Sequence, residues 1–399
     1  MNQSYLSLMA NIGIIPYEEK GDIGNKKPED LSKCKLVSKG DLVINSMNYG
    51  IGSYGISKLS GVCSPVYIVL RPRLDRIRAR FAFRIFENRA FQTFVQSFGN
   101  GILEHRAAIN WDILKSISVG VPPVEEQEAI LDFLDRETAK IDTLIAEQEK
   151  LIVLLAEKRQ ATISHAVTRG LNPNAPMKDS GVPWLGDVPA HWEVIPLKHL
   201  VDLRSGGTPS KENMDYWNGE VPWASAKDLK VEQLSSTGDR ISQKALADGA
   251  ANLVPQGAVL VVVRGMILAR MFPVVETLVP MAINQDLKAV LPRNKLGTSF
   301  LAWLLRGSAD ESLQRLDEAG HGTKALRMDA WTSMKLPVPP LAEQVCVVNF
   351  ILEEVARLDA LRVRAEEAIA LLKERRSALI AAAVTGKIDV RGQVENIAI

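Results

Sequence analysis

A glycine-rich stretch is the part of the chain whose residue spacing could bind a nucleotide. Residues 50–55 read Gly-Ile-Gly-Ser-Tyr-Gly, they follow a strand-like run, and Asp75 stands twenty residues further on. In dinucleotide-binding folds such glycines let the backbone approach a pyrophosphate, but a helix must begin in the loop. Residues 60–61 (Ser-Gly) and 64–65 (Ser-Pro) break the chain soon afterwards. We therefore do not predict nucleotide binding here.

Other catalytic patterns are missing from the sequence. There is no Walker A loop, and the Pro-Pro pairs at 122 and 339 follow Val, not the Asn or Asp of an amino-methyltransferase motif. No nuclease-type Pro-Asp…Glu-x-Lys set is convincing, and the histidines are scattered. The three cysteines, Cys34, Cys63 and Cys346, lie too far apart for a zinc knuckle. We predict a chain that catalyses nothing itself and holds no metal or cofactor.

Composition indicates an ordinary globular protein. Apolar residues make up 46% of the chain and charged residues 24%. No apolar run is long enough to span a bilayer, and the N-terminus lacks the layout of a signal peptide. The odd number of distant cysteines is typical of a reducing compartment, so we expect a cytoplasmic protein without membrane contact.

Positive charge is concentrated near the N-terminus. The net charge of the chain is only +1, which argues against an indiscriminate nucleic-acid binder. Residues 1–121 nevertheless contain 16 basic and 10 acidic residues. Two interpretations stay open for this excess, a binding surface and a solvated helix face. Its main contributors are Arg71, Arg73, Arg76, Arg78, Arg80, Arg84 and Arg89.

One segment occurs twice, beginning at Pro122 and again at Pro339. A shift of 217 residues aligns the copies without a gap and gives about 20 identities over about 47 positions. Duplicated units commonly form a pseudo-two-fold arrangement, which suits a target with two related halves.

Each copy predicts one long helix. Acidic residues follow the Pro-Pro pair, and no Gly or Pro interrupts the next ~45 residues, which corresponds to a rod of roughly 65 Å. Apolar residues recur at three- and four-residue spacing, so each rod needs a partner. We expect the two copies to pair as an intramolecular antiparallel coiled coil. The apolar stripe consists of Ile130, Leu134, Ile141, Leu144, Leu151, Leu155, Val347, Ile351, Leu358, Leu361 and Leu372.

The segments outside these helices predict mixed α/β domains, and the fold class is α+β. Short β-type runs at 41–44, 66–70 and 259–263 are broken by Gly, Pro, Ser and Asn, and short helices are predicted at 79–97 and 299–306. The expected organisation is a first domain at 1–121, a long helix at 122–170, a linker at 171–190, a second domain at 191–338, a long helix at 339–388 and a tail at 389–399.

Together these features resemble the specificity subunit of type I restriction–modification enzymes. The resemblance rests on the Pro-Pro-x-x-Glu-Gln entries at 122–127 and 339–344, each followed by a long helix. The opening of the second domain supports it with GVPWLG at 181–186, HWE at 191–193, SGGTPS at 205–210, YW at 216–217 and VPW at 221–223. The matching features extend over essentially the whole chain.

The resemblance implies that each globular domain is a target-recognition domain reading one half of a split, asymmetric double-stranded DNA site. The helix pair would set the distance between the halves, since a rod of roughly 65 Å spans about two turns of B-DNA. Two methyltransferase subunits would dock on the helices, and restriction subunits would join them. S-adenosylmethionine, ATP and Mg²⁺ are then expected on those partner subunits.

Reading bases directly requires Arg, Lys, Asn, Gln, Ser or Thr on loops that reach base edges. Candidates in the first domain are Asn45, Asn48, Tyr49, Arg73, Arg76, His105 and Arg106. Candidates in the second are Thr208, Lys211, Ser225, Lys227, Arg264, Arg270, Lys324 and Arg327.

The first domain departs from the family pattern. At a shift of 217, Met1 aligns with Asn218, so no counterpart of residues 184–217 precedes it. Either the true start lies upstream or the gene is truncated. A second hypothesis follows, in which the chain is a scaffold or recombination cassette that binds methyltransferase subunits without reading DNA.

Overall fold

The computed structural model describes residues 4–23, 26–98, 109, 111–318 and 322–390. Contacts divide the chain into two compact units. Unit 1 comprises Met1–Lys150 with Ala365–Ile399, and unit 2 comprises Leu151–Arg364. Each of the two long helices therefore contributes one part to each unit.

Unit 1 combines short strands with short helices. Its elements are β1 (Tyr5–Met9), β2 (Gly13–Pro16), β3 (Lys35–Val37), β4 (Leu42–Asn45), β5 (Tyr54–Ile56), β6 (Gly61–Cys63), β7 (Tyr67–Leu70), α1 (Ala79–Glu87), α2 (Arg89–Gln96), α3 (Trp111–Leu114) and the first part of α4 (Val124–Arg169). One sheet has the order β2-β1-β6-β3, with β1 and β6 parallel, and the other has the antiparallel order β5-β4-β7.

Unit 2 is larger and has more strands. Its elements are β8 (Met177–Asp179), β9 (Asp187–Pro189), β10 (Glu193–Pro196), β11 (Val201–Ser205), β12 (Trp217–Ala224), β13 (Gln233–Leu234), β14 (Asp239–Ile241), α5 (Gln243–Ala247), β15 (Leu253–Val254), β16 (Val259–Val262), β17 (Arg264–Gly265), β18 (Val274–Thr277), β19 (Met281–Ile283), β20 (Leu287–Pro292), α6 (Thr298–Gly307), α7 (Ala309–Leu313), β21 (Leu316–Glu318), β22 (Lys324–Leu326), α8 (Met328–Thr332), β23 (Lys335–Val338) and the first part of α9 (Leu341–Val384). Its main sheet, β11-β20-β16-β18-β13, packs against α6, whose Phe300, Leu301 and Leu304 are buried.

The two units share one strand topology, so the repeat found in the helices extends through the domains. The order β2-β1-β6-β3 in unit 1 corresponds to β14-β12-β19-β15 in unit 2, with the same strand directions. The order β5-β4-β7 corresponds to β18-β16-β20. Unit 2 adds β11 outside β20, β13 outside β18 and the antiparallel pair β10–β23.

The predicted long helices are confirmed, and they run antiparallel within each unit. In unit 1, Ile130 and Leu134 near the start of α4 share a core with Ile380 near the end of α9. In unit 2, Ile163 near the end of α4 shares a core with Val347 near the start of α9. Burial of these apolar residues stabilises helices that would be marginal alone.

Only part of the predicted apolar stripe is buried. Seven of the residues predicted for it are buried: Ile130, Leu134, Ile141, Leu155, Val347, Ile351 and Leu358. Leu144, Leu151 and Leu361 are exposed instead, and Leu372 is half-buried, so these four do not lie in a closed seam. The physical reason is that a stripe with mixed spacing drifts around the axis of a helix with 3.6 residues per turn.

Two local expectations need correction. Residues 79–97 form two helices rather than one, because Asn88 leaves the helical conformation and its side chain accepts a hydrogen bond from the Ala90 N–H at the start of α2. The predicted linker at 171–190 contains a hairpin, in which β8 pairs antiparallel with β9. Among the described residues, no helix is long and apolar enough to cross a membrane.

Candidate nucleic-acid interface

The glutamine of each Pro-Pro-x-x-Glu-Gln entry anchors a domain to its long helix. In unit 1 the buried Gln127 accepts a hydrogen bond from the Arg78 N–H (2.8 Å) and donates to the carbonyls of Arg76 and Pro122 (2.8 Å each). Since Arg78 directly precedes α1, this amide fixes α1 against the start of α4.

Gln344 makes the same three contacts in unit 2. It accepts from the Gly297 N–H (2.8 Å) and donates to the carbonyls of Lys295 (2.8 Å) and Pro339 (2.9 Å). Gly297 directly precedes α6, the counterpart of α1. A primary amide can donate twice and accept once in this way, which accounts for Gln at both positions.

Part of the arginine-rich run of unit 1 also anchors its domain. Arg78 pairs with Glu128 (2.6 Å), and both Arg80 and Arg84 contact Asp135 on α4. Further upstream, Arg71 binds the buried carboxylate of Asp41. These arginines are therefore ion-paired within unit 1, an outcome that neither sequence interpretation anticipated.

In unit 2, the loops that carry the predicted base-reading residues meet at one end of the sheets. Strands β11 and β16 both run antiparallel to β20, so the loops after them lie where β20 begins. Strand β12 runs parallel to β19, so the loop after β12 lies beside the end of β19. Residues 284–286 connect β19 to β20 and therefore stand among all three loops.

Hydrogen bonds attach the first two loops to this connection. The Thr208 hydroxyl donates to Gln285 Oε1 (2.5 Å) from the loop after β11. The Asn284 N–H donates to the Ala224 carbonyl (2.9 Å) at the end of β12. Ser225, the next residue, is held by the Asp228 carboxylate, which accepts from its N–H and its hydroxyl.

The third loop is attached through main-chain contacts. The Val263 N–H donates to the Asp286 carbonyl (2.8 Å) directly after β16. The following strand, β17, pairs with β22, which sets Arg264 opposite Ala325 and brings Lys324 to the same loop surface. We call the loops after β11, β12 and β16, with residues 284–286 and β22, the loop face of unit 2.

Three predicted cations of unit 2 have no ion-pair partner among the described residues, and all three are exposed. Lys211 and Arg264 belong to the loop face, whereas Arg270 follows β17 and lines a cavity together with Arg159 of α4. The other predicted cations of unit 2 are ion-paired: Lys227 with Asp239 (2.6 Å), Lys324 with Glu318 (2.6 Å) and Arg327 with Asp317 (3.6 Å). The Asp239 contact raises the pKa of the Lys227 ammonium. The unpaired cations are the ones that can bind an anion without first breaking an ion pair.

The predicted residues of unit 1 are separated by the structure. Asn45, Asn48 and Tyr49 stand at the end of β4. Arg73 and Arg76 follow β7 and lie at the opposite end of the sheet, because β4 and β7 are antiparallel. His105 and Arg106 lie outside the described residues.

Two of the unit 1 candidates are buried. Asn45 Oδ1 accepts a hydrogen bond from the Met47 N–H (3.1 Å) and thereby stabilises a turn. The Tyr49 hydroxyl donates to the Phe86 carbonyl (2.6 Å), and burial raises the pKa of this hydroxyl. With 6% and 1% of their surfaces exposed, Asn45 and Tyr49 support the domain and are not positioned to meet a base edge.

The sequence reasoning overlooked Gln285. Its side chain is exposed at the centre of the loop face and already accepts a hydrogen bond from Thr208. Beside it, the Oδ1 of Asn284 is buried without a hydrogen-bond partner among the described residues. The available signal was the polar run Asn-Gln-Asp between two apolar strands, which places an exposed amide on a short connection.

The glycine-rich stretch at 50–55 has no dinucleotide-binding geometry. A 3-10 turn, Tyr49–Ile51, leads into strand β5 and not into an α-helix. Among the described residues, no group of His, Cys, Asp and Glu side chains is arranged to hold a metal ion.

Comparison with known proteins supports a DNA-recognition interpretation of the fold. The family model described as "Type I restriction modification DNA specificity domain" matches residues 4–152 and 189–363, which is more than half of the chain. A solved structure described as "Structural basis underlying complex assembly and conformational transition of the type I R-M system" has a TM-score of 0.71 at 17% identity and covers 90% of this chain and 85% of that chain. The HsdS subunit of Thermoanaerobacter tengcongensis gives a TM-score of 0.54 at 17% identity, over 90% of this chain and 84% of that one.

Curated relatives match over different lengths. The EcoR124I/EcoR124II specificity subunit of Escherichia coli is 31% identical over 147 residues, which is 37% of this chain but only 36% of that protein. The MjaVIII specificity subunit of Methanocaldococcus jannaschii is 23% identical over 393 residues, with 92% of this chain and 84% of that protein covered. With two separate regions matched by the family model, the chain belongs to the type I restriction–modification DNA specificity family.

Proposed function

We propose that this chain is the DNA-specificity subunit of a type I restriction–modification complex. The observation that carries the proposal is the loop face of unit 2. It combines unpaired, exposed cations with amide and hydroxyl groups on loops held by hydrogen bonds. Cations of this kind bind phosphates, and amides or arginines on the same loops can read base edges in a groove.

A split and asymmetric target follows from the two units in this proposal. Both units have the same strand topology, but the connection that reads Asn-Gln-Asp at 284–286 in unit 2 reads Ser-Pro-Val at 64–66 in unit 1. Side chains that differ this much select different bases. We therefore expect one half-site for each unit, with a fixed gap between them.

The long helices supply the proposed docking surface for partner subunits. On α4 and α9, three leucines are exposed to solvent: Leu144, Leu151 and Leu361. Exposed apolar side chains of this kind are unfavourable in water unless a partner covers them. Two methyltransferase subunits and then restriction subunits are the proposed partners. Methylation would use S-adenosylmethionine, and cleavage would use ATP and Mg²⁺, all bound by those subunits in the cytoplasm. This chain itself would contribute recognition without a catalytic step.

Methylation mapping tests the proposal. The chain would be co-expressed with the methyltransferase subunit encoded beside it, in cells that lack adenine methylation, and N6-methyladenine would be read by long-read sequencing. We expect a split motif with one fixed gap. A variant with Arg264→Ala and Gln285→Ala should change or abolish methylation at one half-site. Methylation without any sequence motif would rule out the specificity role.

A second function is favoured by the structure of unit 1. Its predicted base-reading residues do not share one end of the sheet, and Asn45 and Tyr49 are buried. A scaffold or recombination cassette that binds methyltransferase subunits without DNA specificity does not need base-reading residues, so it is compatible with this arrangement of unit 1. It predicts a stable complex with the methyltransferase subunit and no methylation, so the same experiment distinguishes the two functions.

A further inference from the structure

In unit 2, one segment of the chain packs against the rest of the domain through three sets of contacts. Strand β10 pairs with β23, and β11 pairs with the outer edge of β20. Just before β10, the indole of Trp192 is fully buried and its N–H donates to Glu343 Oε2 (3.1 Å). Glu343 also binds His191 (2.8 Å). We call residues 190–205 the completing segment.

The described part of unit 1 has no counterpart of this segment. Strand β7, which corresponds to β20, is an edge strand. Residues 118–121, which correspond to β23 at a shift of 217, form no strand. Glu126 corresponds to Glu343, and its carboxylate has no hydrogen-bond partner among the described residues.

Without a counterpart of the completing segment, apolar positions of unit 1 are exposed that are buried in unit 2. Val119 and Val121 of unit 1 are 42% and 41% exposed. Their counterparts in unit 2 are Leu336 and Val338, which are 0% and 5% exposed. The same apolar positions are thus covered in one unit and open in the other. Val119 and Val121 also line the larger cavity described below, so they belong to a contiguous apolar surface, which is typical of docking sites.

Two cavities of unit 1 lie where the completing segment would place its side chains. The larger, of about 580 Å³, is lined by Phe91, Phe94, Val121, Glu126 and Val384 among others. Its Glu126 is the counterpart of the residue that binds Trp192 in unit 2. A cavity of this size accepts an indole with neighbouring side chains.

The smaller cavity, of about 160 Å³, is lined by Leu70, Ile117 and Val119 among others. Ile117 corresponds to Met334, whose carbonyl accepts the Leu197 N–H (2.9 Å) in unit 2. Leu197 is fully buried there, in the turn between β10 and β11. The two cavities therefore follow one another in the order in which Trp192 and Leu197 occur along the completing segment.

We propose that this face of unit 1 binds an extended polypeptide segment in which a tryptophan is followed by strand-forming residues. The indole would enter the larger cavity and donate to Glu126, and a leucine would enter the smaller one. The backbone would extend the sheet at β7, since edge strands present unpaired N–H and C=O groups that accept an added strand. This proposal goes beyond DNA reading and does not depend on it.

Peptide binding tests the proposal with the full-length chain. The probe is a fluorescein-labelled synthetic peptide with the sequence of residues 187–206, and the measurement is fluorescence anisotropy. We expect saturable binding at one peptide per chain. A peptide carrying Trp192→Ala should bind at least ~10-fold more weakly, because a buried aromatic anchor contributes most of the affinity of such contacts.

Substitutions in the chain locate the binding face. Val121→Arg should weaken binding ~10-fold or more, and Glu126→Ala about 3- to 10-fold, because the first blocks the larger cavity and the second removes an acceptor. Leu36→Arg is the matched control, since Leu36 is also an exposed apolar residue of unit 1 but lies on β3 and lines neither cavity. It should leave the affinity unchanged, and circular dichroism checks that all variants fold.

Four outcomes would overturn the proposal. The first is no binding by a folded chain, and the second is equal affinity for the two peptides. The third is binding only after removal of residues 391–399, which would make the chain's own tail the occupant. The last is a dimer of the chain that the peptide cannot dissociate, which would make a second copy the occupant. Loss of DNA specificity would leave this proposal untouched, because its readout is peptide affinity.

Discussion

The Arg376 guanidinium on α9 donates to the Asp142 carboxylate on α4 across 2.9 Å. Both residues belong to unit 1. In unit 2, Arg159 on α4 lies 3.9 Å from Asp359 on α9. A shift of 217 residues turns Asp142 into Asp359 and Arg159 into Arg376. Each ion pair thus takes its acid from one copy of the repeat and its base from the other, so the repeated sequence encodes antiparallel pairing twice.

These arginines also attach the domains to the helices. Arg376 donates to Glu87 at the end of α1 (2.9 Å), and Arg159 donates to Glu232 before β13. We expect Arg376→Met to lower the free energy of unfolding by about 1–3 kcal/mol, because Glu87 is nearly buried and loses one of its two cations. Urea denaturation would measure this change.

The control for this substitution is Arg357→Met. Arg357 pairs with Glu354 one helical turn away and is largely exposed, so its loss should change the free energy of unfolding by less than about 0.5 kcal/mol. Equal effects of the two substitutions would show that the Arg376 contacts do not join the domain to the helix.

Gln127 and Gln344 should be sensitive to substitution to similar extents. Replacing Gln127 by Leu leaves the Arg78 N–H and two carbonyls without their partner, which we expect to cost about 2–4 kcal/mol of unfolding free energy. Gln344→Leu should cost a similar amount in unit 2. Thermal and urea unfolding would measure both.

Gln148→Leu, on the same helix, provides the comparison, because no hydrogen bond of the Gln148 side chain is present among the described residues. A small effect of Gln127→Leu, similar to that of Gln148→Leu, would contradict the anchoring role.

The sequence was most informative where a pattern repeats over many residues. The long helices could be predicted because some 45 positions without Gly or Pro leave a helix as the consistent solution. Local breaks were harder: Asn88 divides one predicted helix into two through a single capping contact with Ala90. The exposure of Leu144, Leu151 and Leu361 depends on how the stripe turns around each helix, which spacing alone does not define.

The candidate site was less predictable than the fold. Residue type suggested Arg264 and Thr208, which the structure places on the loop face, but it equally suggested Tyr49, which the fold buries, and Arg73, which lies at the other end of its sheet. Gln285 was overlooked because its importance comes from the meeting of three loops that are distant in sequence. Loop assembly of this kind depends on strand order and direction, which composition does not encode.

Asp41 should make unit 1 sensitive to acid. Its carboxylate accepts from Arg71 Nε (2.9 Å) and the Ser38 N–H (2.8 Å), and the Arg71 hydrogen bond lowers the pKa of Asp41 although burial opposes this. A carboxyl group with a lowered pKa in the folded state stabilises the protein fully above its unfolded pKa of about 4, and this contribution is lost as pH falls through the folded pKa.

We therefore expect Asp41→Asn to lower the unfolding free energy by about 1–3 kcal/mol at pH 7. The difference from the unsubstituted chain should shrink as the pH falls below about 4. Urea denaturation at several pH values would follow it. Asp75→Asn serves as the control, because Asp75 and Arg76 are exposed and 3.9 Å apart. If the difference in unfolding free energy stayed constant down to pH 3, the Asp41 carboxylate would not be its source.

On the loop face of unit 2, substitutions of cations and of Gln285 should affect DNA affinity and base selectivity separately. Arg264 and Lys211 have no ion-pair partner among the described residues. A cation that binds a phosphate contributes about one counterion to the salt dependence of DNA affinity. Replacing each of them by Ala should therefore weaken binding and reduce the salt slope by about 1, unless that residue reads a base.

Gln285→Ala should behave differently, because an amide that reads a base edge carries specificity without charge. We expect it to relax selectivity at one base pair by about 1–3 kcal/mol while leaving the salt slope unchanged. Competition binding with systematically substituted duplexes would measure both quantities. Arg293→Ala is the control, since Arg293 pairs with Asp202 at the opposite end of the sheet and should not contact DNA. If Arg293→Ala weakened binding as much as Arg264→Ala, the duplex would contact another part of unit 2, and the loop face would lose its proposed role.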